Sequence, residues 1–338
     1  MQNRKLVTVS YTSIDSPGGV PKFNRNIHNV FKDLYECKHY CWDDFPFKEK
    51  YFTEWEAAKT LNEYLIKAKL IDTNDIVIAD GFWAGGLEHM KYAISHSHGI
   101  WSHLTDADVK MKKFPDMPLL HTNQVRFRKK WTSLNKQLTS VSKFISDQMK
   151  KQWGFNSITI NNSVDDGFKR DDNFDKPKNK IILHGVNDKK NKNKGWDFIY
   201  HLKEELSDYE ILSLDEVQSK YNLSKQQAIS AADFVVHPSG FEGNSMFLLE
   251  CLACVTPIIG YDVGYLYELS EKKIDIGCII KLKDRSEESM LDACKKFISF
   301  DENKKNQIKN NILSLQQDIS FDTFSKNWKE YIQCLTQD

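Results

Sequence analysis

The sequence predicts an α/β chain of two doubly wound domains that face one another across a cleft. Three observations carry this expectation. Short, almost continuously apolar runs alternate with helix-length segments, the pattern of parallel sheets covered on both faces. A polar, charged stretch without periodicity, Asp165 to Lys180, divides the chain into halves. Each half opens with a strand followed by a glycine-containing loop.

Taken in order, the predicted strands of the first half are KLVTVSY (Lys5 to Tyr11), DIVIA (Asp75 to Ala79), AISHSH (Ala93 to His98) and LTSVS (Leu138 to Ser142). Those of the second half are KIILHG (Lys180 to Gly185), YEILSL (Tyr209 to Leu214), DFVVHPS (Asp233 to Ser239) and TPIIGY (Thr256 to Tyr261). Between them, VPKFNRNIHNVFKDLYE and SEESMLDACKKFISF carry the spacing of amphipathic helices. The expected boundaries are a domain over 1–164, a linker over 165–179, a second domain over 180–320, and a C-terminal helix over 321–338 that packs back on the first domain.

Composition narrows the setting. Lysine plus arginine equals aspartate plus glutamate at 47 each, so net charge alone selects no partner. No apolar run approaches the ~20 residues of a membrane-spanning helix. The N-terminus turns polar after one short strand, unlike a signal peptide. Seven scattered cysteines fit reduced thiols in a cytoplasmic protein. Cys251 and Cys254 form a CxxC with no second pair or histidine cluster, so they read as core residues and no metal site is expected.

Four stretches have chemical potential. In SIDSPGGVPKFNRNI, Gly18 and Gly19 precede a helix, where backbone N–H groups can approach an anion; an ordinary turn reads the same way. The spacing is neither GxGxxG nor a Walker loop, which argues against dinucleotide and P-loop chemistry. In AISHSHGIWSHL, His96, His98 and His103 cluster near a strand end. Hydrogen bonding at a cleft edge suits them better than metal binding; His98 is the best placed by position, but His96 points the same way in an ideal strand, so the choice between them stays open. In LHGVNDKKNKNKGWDFI, lysines follow a buried strand. Most belong to a solvated loop, but Lys194, beside Gly195 at a helix start, is the best phosphate contact.

The fourth stretch is FEGNSMFLLECLACV. The loop Ser239 to Glu242 precedes a helix that Asn244 or Ser245 could cap, with the free N–H groups of Ser245, Met246 and Phe247 at its start. Glu242 lies just before this helix and Glu250 two turns along it. A glutamate inside so apolar a helix is costly unless it is paired, and sugar or ribose hydroxyls would pair it.

These residues resemble the Glu-x7-Glu signature of retaining glycosyltransferases of the GT-B fold, nearest to family 4, the glycogen-synthase-like and mannosyltransferase-like group. GGVPKF, KYAISHSHGIW, SVSKFISDQMKKQWGF, INNSVDDGF and NKGWDFI fall in the expected order, so the resemblance spans nearly the whole chain. It implies two Rossmann-like domains, the N-terminal one for the acceptor and the C-terminal one for a nucleotide sugar, either UDP- or GDP-linked. It further implies that Glu242 contacts the donor sugar and Glu250 the ribose. Gly243, Asn244, Ser245, Met246 and Phe247 would supply backbone donors, and Lys194 would meet the diphosphate. Gly18 and Gly19 would lie against the same diphosphate, and His98 near the reacting sugar. No cofactor or metal is implied, since cations and helix N-termini neutralise the leaving group.

The chain departs from that pattern in places. Lysines, with Lys189 the nominal counterpart, stand where an arginine is usual, Val255 replaces a glycine, and Tyr265 replaces another. The span from Lys194 to Ala231 is short, as though a strand–helix unit were missing. From Val109 to Trp153 there are eleven Lys or Arg against two Asp. That stretch suggests an acidic acceptor or surface: a surface glycan or glycolipid first, with peripheral membrane attachment, and hydroxymethylated DNA second. A GT-B epimerase or a non-catalytic sugar-nucleotide binding protein are the rival readings.

Overall fold

The protein is described by a computed structural model that covers residues 4–45, 54–99, 126–134, 136–186 and 192–337. The chain divides into two compact units, Met1–Asn161 with Ser325–Asp338, and Asn162–Phe324.

The first unit holds a six-stranded, all-parallel sheet in the order β2-β1-β3-β4-β5-β6. The strands are β1 (Lys5–Ser10), β2 (Glu36–Cys41), β3 (Ile76–Asp80), β4 (Tyr92–Ser97), β5 (Leu138–Ser140) and β6 (Ile158–Thr159). Central strands are sequestered on both faces: Leu6, Val7, Val9, Ile76, Val77 and Ile94 are fully buried. Helix Gly19–Phe31 covers the sheet with Phe23, Ile27, Val30 and Phe31. The C-terminal segment counts with this unit because Trp328, fully buried, packs against Phe23 and His96 at centroid distances of 5.7 and 5.3 Å.

The second unit holds a five-stranded parallel sheet in the order β11-β10-β9-β7-β8. Its strands are β7 (Ile181–His184), β8 (Glu210–Ser213), β9 (Phe234–His237), β10 (Ile258–Tyr261) and β11 (Gly277–Ile280). The stretch 165–179, expected as a linker, falls within this unit. There Arg170 donates to the carbonyls of Cys254 and Ser230 and so is tied to the fold. The short span from Lys194 to Ala231 contains helix Trp196–Glu205, strand β8, helix Leu214–Tyr221 and helix Lys225–Ala231.

Eight predicted strands are present with ends shifted by one or two residues. Three are additional. In β2, ECKHYC alternates exposed and half-buried positions over its first four residues, because it lies at the sheet edge. β6 and β11 are also edge strands, of two and four residues, too short for a pattern to stand out.

Candidate functional site

In the second unit the strand order reverses between β7 and β9, the place where doubly wound sheets bind ligands beyond the carboxyl ends of their strands. The loop after β7 reaches a tight turn, Lys192–Lys194, and that after β9 runs through Pro238 to Ser245. The two loops are joined. Gly240 N–H donates to the Asn193 carbonyl at 2.9 Å, and Asn193 Nδ2 donates to the Phe241 carbonyl at 3.2 Å. Gly195, at φ +73°, turns the chain into helix Trp196–Glu205. A Cβ there would stand 2.8 Å from Pro238 Cβ, so only glycine permits this approach.

This junction places Lys194 Nζ 2.5 Å from Glu242 Oε1. The Glu242 side chain is only 13% exposed. Burial pushes its carboxyl up, but Lys194 outweighs that penalty and the group sits below the usual glutamate value. His237, at the end of β9, lies 3.6 Å away. Burial, helped by Lys194, drives its pKa down to about 4, so it is neutral at pH 7. Both ring nitrogens of His237 are buried without a hydrogen-bond partner. His237 is not among the residues the sequence marks by motif; its place at a strand's carboxyl end is the one local signal for it.

Beyond Glu242, Gly264 touches the loop backbone: at φ +55°, a Cβ on it would lie 2.9 Å from the Gly243 carbonyl. Ser245 takes the N-cap position of helix Met246–Ala253, but neither its hydroxyl nor the Asn244 side chain caps the helix as expected. The first N–H groups of the helix, those of Met246 and Phe247 among them, receive no capping bond from the N-cap side chain. Phe247 closes over the end of β7, where a Cβ on Gly185 would meet its ring at 2.4 Å. Glu250, 2% exposed, is held by Lys225, whose Nζ is 2.7 and 2.6 Å from its two oxygens. Lys225 was not anticipated, since nothing in its local sequence marks it.

In the first unit, Gly18 adopts φ +124°, a conformation glycine alone tolerates well, and leads into the helix that begins at Gly19 with no side-chain cap. Arg25 ties the preceding loop by donating to the Ile14 and Ser16 carbonyls. His98 follows β4 and meets Phe23 and His96 at centroid distances of 4.7 and 4.8 Å. His96 is fully buried, with Nδ1 2.9 Å from Thr139 Oγ1. Burial lowers both imidazoles, His98 to about 3, so both are neutral at pH 7. Lys189 and His103 lie outside the described residues.

Four of the eleven cations of the basic stretch make contacts within the first unit. Arg128 is 1% exposed and donates to Ser97 Oγ at 2.9 Å, Lys130 pairs with Glu88 at 2.9 Å, Lys136 donates to the Met90 carbonyl, and Lys143 pairs with Asp147. Cys251 and Cys254 are buried core thiols, and burial pushes Cys254 up to about 12. Among the described residues no group of three or more His, Cys, Asp or Glu could hold a metal ion, and no helix is long and apolar enough to cross a membrane.

Residues 175–313 match the family model described as glycosyl transferases group 1. Among solved structures, sucrose-phosphate synthase from Thermosynechococcus elongatus superposes with a TM-score of 0.74 at 12% identity, covering 99% of this chain and 100% of the other. WaaG, a glycosyltransferase involved in lipopolysaccharide biosynthesis, gives 0.67 at 12% identity over 97% and 99%. HepE from Anabaena, solved with UDP-glucose, gives 0.67 at 14% identity over 97% and 99%. A search of curated protein sequences finds no significant match. At these identities the similarity shows the fold, which is that of the GT-B glycosyltransferases.

Proposed function

We propose that this protein transfers a sugar from a nucleotide-sugar donor to a hydroxyl acceptor, with retention of anomeric configuration and without a metal ion. The observation that carries the reading is the Lys194–Glu242 pair at the β7/β9 switch point, directly before the uncapped start of helix Met246–Ala253. An anionic diphosphate suits Lys194 and the free helix N–H groups. A hydroxylated sugar suits the carboxylate of Glu242 and the unpartnered nitrogens of His237. In this reading Glu250 accepts from the ribose hydroxyls while Lys225 keeps its buried charge compensated. Departure of the nucleoside diphosphate builds negative charge, which Lys194 and the helix dipole stabilise without reorganisation.

UDP is the first choice of nucleotide, in keeping with the UDP-glucose bound by the structurally similar HepE. A glycan or glycolipid is the first choice of acceptor, in keeping with the fold shared with WaaG. A DNA acceptor is the second choice; Arg128, buried against Ser97, is withdrawn from contact with any acidic acceptor.

The test is a thermal-shift and hydrolysis panel of UDP-, GDP- and ADP-sugars, with and without EDTA. Stabilisation by one donor, with slow nucleotide release that EDTA leaves unchanged, is the expected result. A donor that stabilises but is never turned over, with any acceptor, would make the protein a binding module. Turnover to an isomeric nucleotide sugar would make it an epimerase.

A further inference from the structure

Arg285 follows the turn Leu282–Asp284 after β11, far in sequence from either site loop. Its guanidinium donates from Nε and Nη2 to the Pro238 carbonyl at 3.2 and 3.1 Å, and from Nη2 to the Asn193 carbonyl at 3.4 Å. These carbonyls belong to the residue just before Lys194 and to the first residue of the loop that carries Glu242. The cation also lies over two rings, 4.6 Å from the Phe198 centroid and 5.8 Å from that of Tyr261. The segment around it is held by the last residue of β10 and the residue after it. Tyr261 Oη donates to the Ser286 carbonyl at 2.9 Å, and Leu282 N–H donates to Asp262 Oδ1 at 2.6 Å. Gly240 leaves room for it, since a Cβ there would stand 3.1 Å from Arg285 Nε.

We propose that Arg285 is a positioning residue for the donor site, clamping the Asn193 and Pro238 carbonyls together and thereby setting the Lys194–Glu242 distance. The physical reason is that two carbonyl dipoles pointing into one half-buried space repel unless a cation with several donors bridges them. The planar fork of arginine does this and a lysine ammonium, a single point charge, does so incompletely. The role rests on the proposed transfer reaction for its meaning but not for its measurement.

The test uses Arg285→Met, Arg285→Lys and Arg285→Ala in the full chain, with circular dichroism and Tm as controls. Acylation of Lys194, followed by peptide mass spectrometry, should run several-fold faster in Arg285→Met and at an intermediate rate in Arg285→Lys. With a donor identified, kcat/KM for that donor should fall about tenfold or more while the acceptor KM stays put. Added guanidinium ion should restore part of the Arg285→Ala loss. If Arg285→Met fails to fold, Arg285→Lys alone decides through the same labelling rate. Lys194 labelling at the wild-type rate in every folded variant overturns the clamp. A wild-type protein inert toward every donor overturns the proposed function, while the labelling rate still reports on the clamp.

Discussion

Lys194 and Glu242, 48 residues apart in the chain, meet at 2.5 Å beyond the ends of two adjacent strands. The pair joins a cation that can hold a leaving phosphate to a carboxylate that can hold a sugar. Glu242→Ala should abolish turnover, and Lys194→Ala should lower kcat by about 10²-fold or more, with each variant retaining its circular-dichroism spectrum. Lys194→Ala should also raise the Glu242 pKa, because burial then acts without the opposing charge. A Glu242→Ala variant with normal turnover would remove that residue from the site.

The second pair, Lys225 with Glu250, separates stability from binding. Glu250 is almost fully buried, whereas Lys225 is 42% exposed. Lys225→Met leaves the carboxylate without its partner and should destabilise the protein by about 1–3 kcal/mol, less than for a fully buried pair because water reaches the lysine. Glu250→Gln should weaken donor binding more than it lowers kcat. Chemical denaturation and donor titration by calorimetry check the two effects.

Val255 stands where the resembled family has a glycine, and the structure shows a reason for that preference. Val255 adopts φ +57°, a left-handed conformation that strains a β-branched residue. Replacing it with alanine or glycine removes the same buried branches, but only glycine relieves the backbone. Val255→Gly should therefore be more stable than Val255→Ala by about 1 kcal/mol, the reverse of the usual order. Urea midpoints of the two variants decide this, and alanine ahead of glycine would refute the strain.

Six imidazoles, those of His28, His39, His96, His98, His184 and His237, have pKa values lowered chiefly by burial, with His28, His184 and His237 near 4. In the unfolded chain each titrates near the ordinary imidazole value of about 6.5. Between about pH 6.5 and 4 the unfolded state therefore binds more protons, and stability must rise with pH across that window. Tm should climb steeply from pH 4.5 to 6.5 and level off above pH 7. The depressed Glu242 adds a loss of stability only at lower pH, below its ordinary carboxylate range. A flat Tm from pH 4.5 to 6.5 would contradict the burial of these rings.

The sequence alone determined the α/β class, eight of the strands and the Glu242–Glu250 segment. Each is local: buried parallel strands are apolar throughout, and two glutamates on one short segment keep their spacing whatever surrounds it. Edge strands such as β2 were hidden because one open face mixes Glu36 and Lys38 into the pattern. Tertiary structure alone decided that Lys194 closes on Glu242, that Lys225 pairs with Glu250, that His237 faces the Glu242 carboxylate, and that Arg285 bridges the two loops. These contacts join residues brought together by sheet order, and sheet order follows from burying both faces of each strand at once, a condition on the whole unit that no single segment carries.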